Sequence, residues 1–295
     1  MAWLDSGSER LQVGFKEIKN FRDQEKVNKF LAMTNRAIRE LGLLNASENI
    51  RYFAKVIRCY WPNRQFKSAH PEFKTPPREL AFDAYSAPDW DFYKTSGEGT
   101  AAFLATLIKQ YQSSSPDGLK VLEWGCGPAR VIRHLPGVLG AGTDVSGSDY
   151  NEKSITWCSR NIPGVTFLTN ELNPPLKLSG NCFDVCYSIS VFTHLSNDVC
   201  RAWVKEIYRV LKHGGIFITT TNGESKLEDL FPDEIEKYRS EGVVVRGNFE
   251  EGKKMYFACH SPKYLAENLF KCFEVLEHRS ANFPFTAQDM WVLRK

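Results

Sequence analysis

Apolar positions along the chain follow two different periods. Val27, Phe30, Leu31, Thr34, Ile38 and Leu41 recur at helical spacing, with Gly42 as a stop. Asn45 and Glu48 have the spacing of a capping box for a second helix. Ile50, Phe53, Ile57 and Trp61 would share one face of it until Pro62 ends it. Periodicity then fades over residues 64–98, among Pro71, Pro76, Pro77 and Pro88. So long an irregular stretch in a compact protein points to a functional or wrapping segment.

From Gly99 onward, helical and strand-like patterns alternate. GTAAFLATLIKQY reads as a helix and LKVLEW as a first strand, with Pro128 suited to a helix's first turn. A strand near 143–149, a helix from Asn151, the strands GVTFL and FDVCYSIS, the helix NDVCRAWVKEIYRVL and the strand IFITTT follow. Such alternation predicts a mostly parallel sheet covered by helices on both faces. SPKYLAENLF starts a late helix, and FEVLEH and MWVLRK read as closing strands. The pattern divides the chain into a helical and Pro-rich extension, 1–98, and an α/β domain, 99–295, with a hairpin inserted at about 243–260.

Composition narrows the classes. With 42% apolar and 25% charged residues, the 295-residue chain has the make-up of a globular protein with a sizeable core. A net charge of +3, from 38 basic and 35 acidic residues, argues against nucleic acid as substrate. No apolar run approaches the ~18 residues of a membrane span, and charges in the first residues argue against a secretory signal. The eight cysteines form no C-x-x-C pair, which fits reduced thiols in the cytoplasm, and no zinc spacing occurs. Oligomeric state leaves no mark on the sequence.

The stretch VLEWGCGPAR, residues 121–130, closes a strand on an acid and two glycines. A dinucleotide fingerprint would need a third glycine where Arg130 stands. Glu123 would also face a pyrophosphate across a few ångströms, an unfavourable like-charge arrangement. S-adenosylmethionine carries a sulfonium and an ammonium instead of phosphates, so an acid there helps. An acid is next expected roughly 20 residues on, at the end of the second strand, for the ribose hydroxyls. Asp149 and Asp144 are candidates; Asp149 is preferred because Asn151 can then cap the following helix.

With VLEWGCGPAR as first motif, SGSDYN as ribose acid, FDVCYSISVFTHL as fourth strand and RVLKHGGIFITTT after it, the chain resembles the class I S-adenosylmethionine-dependent methyltransferases over about residues 118–222. Ala129 and HGG depart mildly from that family's commoner third glycine and PGG. The resemblance implies a Rossmann-like open sheet with an antiparallel closing strand, S-adenosyl-L-methionine as cofactor, and a small-molecule or glycan-type acceptor methylated on O or N. Carried over, Glu123, Gly125, Cys126 and Gly127 hold the methionine end. Asp149 binds the ribose, Tyr150 covers the adenine, and Asn170, Glu171 and Leu172 contact it. Ser190 approaches the sulfonium by its backbone.

A hydroxyl acceptor benefits from a general base. His194, beyond the fourth strand, is the candidate catalytic residue, at the sheet edge where such folds bind ligands; a backbone-bonded helix-start histidine is the competing reading. His260 is a second candidate. Trp90, Tyr93 and Tyr256 would either pack or face the sulfonium or substrate. NPPL at 173–176 looks like a DNA adenine methyltransferase signature but precedes the fourth strand and ends in Leu176, so it reads as a loop. A non-catalytic S-adenosylmethionine-binding partner protein and an NAD-dependent oxidoreductase remain alternatives.

Overall fold

A computed structural model describes residues 44–112, 118–140 and 142–295. The helix expected over 27–41 and the side chain of Asn45, hence the capping box, lie outside the described residues. The chain divides into two compact units, Met1–Phe53 and Ala54–Lys295. Of the first, residues 44–53 open the helix α1 (Leu44–Arg58); the second holds all that follows.

Pro62 does not stop the helical region. After a break at Cys59, α2 (Tyr60–Ala69) begins and carries Pro62 in its first turn, where no amide donor is needed. The expected apolar face of Ile50, Phe53, Ile57 and Trp61 is exposed, Ile57 by 75% and Trp61 by 66%. The stretch 64–98 is more regular than its periodicity implies, because its prolines bound helices rather than interrupt them. Pro77 is the N-cap of α3 (Arg78–Tyr85). Pro88 precedes Asp89, whose carboxylate accepts from the Phe92 amide and caps α4 (Trp90–Tyr111). That helix therefore starts at Trp90 and runs through Gly99.

The sheet is built as the alternation predicts. Its seven strands are β1 (Lys120–Trp124), β2 (Asp144–Asp149), β3 (Thr166–Thr169), β4 (Phe183–Ser188), β5 (Leu211–Thr221), β8 (Glu274–Arg279) and β9 (Asp289–Arg294). The spatial order is β3-β2-β1-β4-β5-β9-β8; only β9 pairs antiparallel, with both β5 and β8. Helices α5 (Leu135–Leu139), α6 (Glu152–Asn161) and α7 (Asn197–Val210) connect the parallel strands, the last two capped by Asn151 and Ser196. Successive strand residues face opposite sides: Val121 joins Leu104, Ile108, Val185 and Ile218 in one core, Leu122 joins Phe192, Trp203, Phe217 and Trp291 in the other. The inserted hairpin is present as β6 (Val243–Arg246) paired antiparallel with β7 (Phe257–His260), after α8 (Pro232–Glu241). SPKYLAENLF makes one capped turn, Pro262–Tyr264, and continues as a π-helical turn, Leu265–Leu269.

Strand order reverses between β1 and β4, which creates a crevice beyond their carboxyl ends. Helix α4 braces the loop that borders it. A Cβ on Gly97 would sit 2.1 Å from the Arg130 carbonyl oxygen, so only glycine allows this approach. The Tyr93 hydroxyl donates to the Pro128 carbonyl at 2.6 Å. Trp90 and Tyr93 are thus packing residues, buried with Phe66 and Ala81.

Candidate active-site cleft

A cleft of about 1110 Å³, its solvent-filled mouth included, opens at this switch point. Glu123, Gly125, Cys126, Gly127, Asp149, Tyr150, Asn170, Glu171, Leu172, Ser190 and His194 all line it. Asp144 does not: it starts β2 at the far end of the sheet, 3.9 Å from the exposed Lys120 ammonium.

The turn after β1 is held by β2, since the Gly125 and Cys126 amides both donate to the Ser148 carbonyl, at 2.8 and 3.0 Å. Gly125 has φ +79°, and a Cβ there would lie 2.3 Å from Val191 Cγ2; both conditions demand glycine. At Gly127, φ +50°, a Cβ would meet nothing nearer than Ala84 Cβ and the Tyr85 hydroxyl, each at 3.6 Å, so bare backbone borders the cleft. Ala129 takes φ +59° where a third glycine would be relaxed.

Glu123 accepts from the Tyr187 hydroxyl at 2.8 Å. Burial nevertheless pushes its carboxyl up to about 8, against the pull of that bond and of Arg130. Asp149 receives the Gly127 amide on one oxygen (2.7 Å) and the Asn151 amide on the other (2.8 Å). Burial raises its pKa too, opposed by those two amides. The Cys126 thiol is buried and held protonated by burial. Asn170 donates to the Glu171 carbonyl, and its Oδ1 is buried without a partner. The Leu172 carbonyl is taken by the Trp203 indole, at 2.8 Å. The Ser190 amide, at φ +61°, is committed to Thr220 Oγ1 at 2.8 Å.

His194 ends a 3₁₀ turn, Phe192–His194. Its Nδ1 lies 2.8 Å from the Tyr256 carbonyl oxygen. A carbonyl only accepts, so Nδ1 carries the proton and Nε2 of the neutral ring keeps its lone pair. Burial lowers the pKa, against the effect of that carbonyl. Tyr256 contributes its backbone, not its ring. His260 is elsewhere: it is buried at the end of β7, with Nε2 2.9 Å from Asn197 Oδ1.

Leu80, Asp83, Ala84, Tyr85, Arg130, Trp203, Gly252 and Lys254 also line the cleft and escaped the sequence reading. Arg130 was next to a motif; the others are far from it, and only packing brings them in. Residues 250–254 of the hairpin loop lean over one side. The Tyr150 hydroxyl donates to the Gly252 carbonyl at 2.9 Å, and the Gly252 amide to the His194 carbonyl at 2.8 Å. Among the described residues no helix is long and apolar enough to cross a membrane, and no group of three or more His, Cys, Asp or Glu is placed to hold a metal.

Residues 121–215 match the model of a methyltransferase domain family. A sterol 24-C-methyltransferase of Gibberella zeae is 27% identical over 193 residues, 62% of this chain and 47% of that protein. A putative methyltransferase of Bacillus subtilis is 24% identical over 131 residues, 42% of this chain and 51% of that protein. The chain thus spans about half the length of these curated relatives. Among solved structures, an S-adenosylmethionine-dependent methyltransferase of Methanosarcina mazei is 21% identical, with 64% of this chain and 96% of that chain covered and a TM-score of 0.49.

Proposed function

From the premise that residues 121–215 carry a methyltransferase domain of the class I, S-adenosylmethionine-dependent family, we propose that the chain moves a methyl group to an oxygen or nitrogen of a small-molecule or glycan-type acceptor, with His194 as general base. The observation that carries the base is the Nδ1 bond to the Tyr256 carbonyl, which orients the ring and leaves Nε2 as a proton acceptor in a cleft-lining residue.

The residues fit the cofactor. A buried carboxyl pushed up to about 8 is a site that gains from a cationic partner, and Glu123 would hold the ammonium. The free Oδ1 of Asn170 matches an amino donor such as that of adenine. Asp149 keeps lone pairs for the ribose hydroxyls, and the bare backbone at Gly127 allows close approach. S-adenosylmethionine supplies, when bound, a methyl group already activated on sulfur. The chain's own residues then position the acceptor, exclude water and, at Nε2 of His194, take the acceptor's proton. Positioning alone is worth roughly 7–11 kcal/mol of such a barrier.

Methyl incorporation across a panel of hydroxyl and amine acceptors tests the proposal. His194→Ala should lower kcat on a hydroxyl acceptor by roughly 10²–10⁴-fold, with S-adenosylhomocysteine affinity nearly unchanged. Because burial lowers the His194 pKa, wild-type kcat should rise with pH through a value below 6.5 and stay flat above it. Equal turnover in the two proteins would remove His194 from the mechanism.

A further inference from the structure

Two hydrogen-bond donors on the cleft wall have no acceptor. The Tyr85 hydroxyl, at the end of α3, is buried and unpartnered, and so is Nε of Arg130. They are neighbours: the Arg130 guanidinium carbon lies 5.1 Å from the Tyr85 ring centroid. Nη1 of Arg130 donates to Ser96 Oγ at 3.1 Å, which fixes the guanidinium while leaving Nε uncommitted. Both residues line the cleft, and the Tyr85 oxygen stands 3.6 Å from where a Gly127 Cβ would be. The pair therefore borders the glycine cradle rather than the acceptor side near His194.

Buried donors are paired in folded proteins, and a neutral hydroxyl beside a guanidinium calls for an anionic acceptor. We propose that Tyr85 and Arg130 together bind the carboxylate of the methionine moiety of S-adenosylmethionine, and thereby select the carboxylated cofactor against its decarboxylated counterpart. The inference rests on the cofactor reading given above. Arg130 brings a positive charge and Glu123 a negative one to the same end of the cleft, matching the two charges of an amino acid. A carboxylate accepting from both donors satisfies atoms that the protein leaves unpaired. A cationic or purely apolar ligand would leave them so. Tyr85 lies outside the residues matched by the methyltransferase family model, so this subsite is supplied by the helical region before the sheet.

Calorimetric titration with two probes tests the proposal: S-adenosylhomocysteine, and its decarboxylated form, which keeps the amine and loses only the carboxylate. Wild-type protein should bind the first more tightly. Tyr85→Phe removes one oxygen that no protein group contacts, so the fold survives. It should weaken S-adenosylhomocysteine roughly 10-fold and Arg130→Gln roughly 10- to 100-fold. Arg130→Lys should recover part of the loss, and the decarboxylated probe should change less than about 2-fold throughout. Equal losses on both probes would make the pair structural, and no loss on either would free it of any role; each result overturns the proposal. Wild-type protein that binds neither probe would instead sink the cofactor reading, and this subsite with it. Equal wild-type affinity for the two probes would overturn the subsite and leave the cofactor reading intact.

Discussion

Glu123 shows how one residue trades stability for binding. Its folded pKa of about 8 lies above the ordinary carboxyl value of 4.5, so the folded, ligand-free chain holds a proton that the unfolded chain releases. Stability is therefore full below about 4.5 and falls as the pH rises toward 8. Glu123→Gln should raise the melting temperature of the ligand-free protein at pH 8, by on the order of 5 °C. The same change should weaken S-adenosylhomocysteine by roughly 10- to 100-fold, because a charged partner for the ammonium is lost. Wild-type binding at pH 7 should also release protons, visible as a buffer-dependent heat. A variant that melts lower and binds equally would mean that Glu123 is a structural acid.

At the scale of elements, the hairpin loop is joined to the cleft through few bonds. Gly252 receives the Tyr150 hydroxyl and gives its amide to His194, while the Lys254 ammonium sits 3.5 Å from the Phe82 ring centroid on α3. Tyr150→Phe keeps the ring and removes the bond to the loop. S-adenosylhomocysteine should then dissociate roughly two- to tenfold faster, the range for one neutral hydrogen bond, with little change in melting temperature. Stopped-flow release would measure this; an unchanged off-rate would show that the loop does not retain the ligand. Here sequence and structure part company in an instructive way. The hairpin's strands were legible from their apolar runs, but the loop's contacts with Tyr150 and His194 join residues far apart in the chain. The helices α2 and α3 were missed because short helices give few turns of periodicity and their prolines look like breakers.

Across the whole molecule, buried histidines set the response to acid. His260 is only 1% exposed and burial lowers its pKa to about 4. His134, stacked on Phe73, is lowered to about 4 by burial and by Arg133. Since these folded values lie below the ordinary 6.5, the unfolded chain binds protons first as the pH falls. Stability is full above about 6.5 and is lost between there and about 4. For His260 the loss is at most about 3 kcal/mol. Thermal melts from pH 7 to pH 5 should fall steeply in wild type and less so in His260→Gln. Parallel slopes would place the acid response elsewhere.

By itself, the sequence determined the alternating α/β order, the cofactor turn at VLEWGCGPAR, and the residues at strand ends that line the cleft. Local rules govern these features: period, positive-φ glycines such as Gly125, and caps such as Asn151 act over a few residues. Parallel order then carries each strand end to the same edge. Only the tertiary structure decided that Asp149 faces the cleft while Asp144 starts its strand at the other end. It also decided that His194 is oriented by the Tyr256 backbone and that His260 is sequestered. Above all, it brought Tyr85 beside Gly127 and Arg130. That meeting depends on α4 packing against the glycine loop through Gly97 and Tyr93, a contact between distant segments that no local pattern encodes.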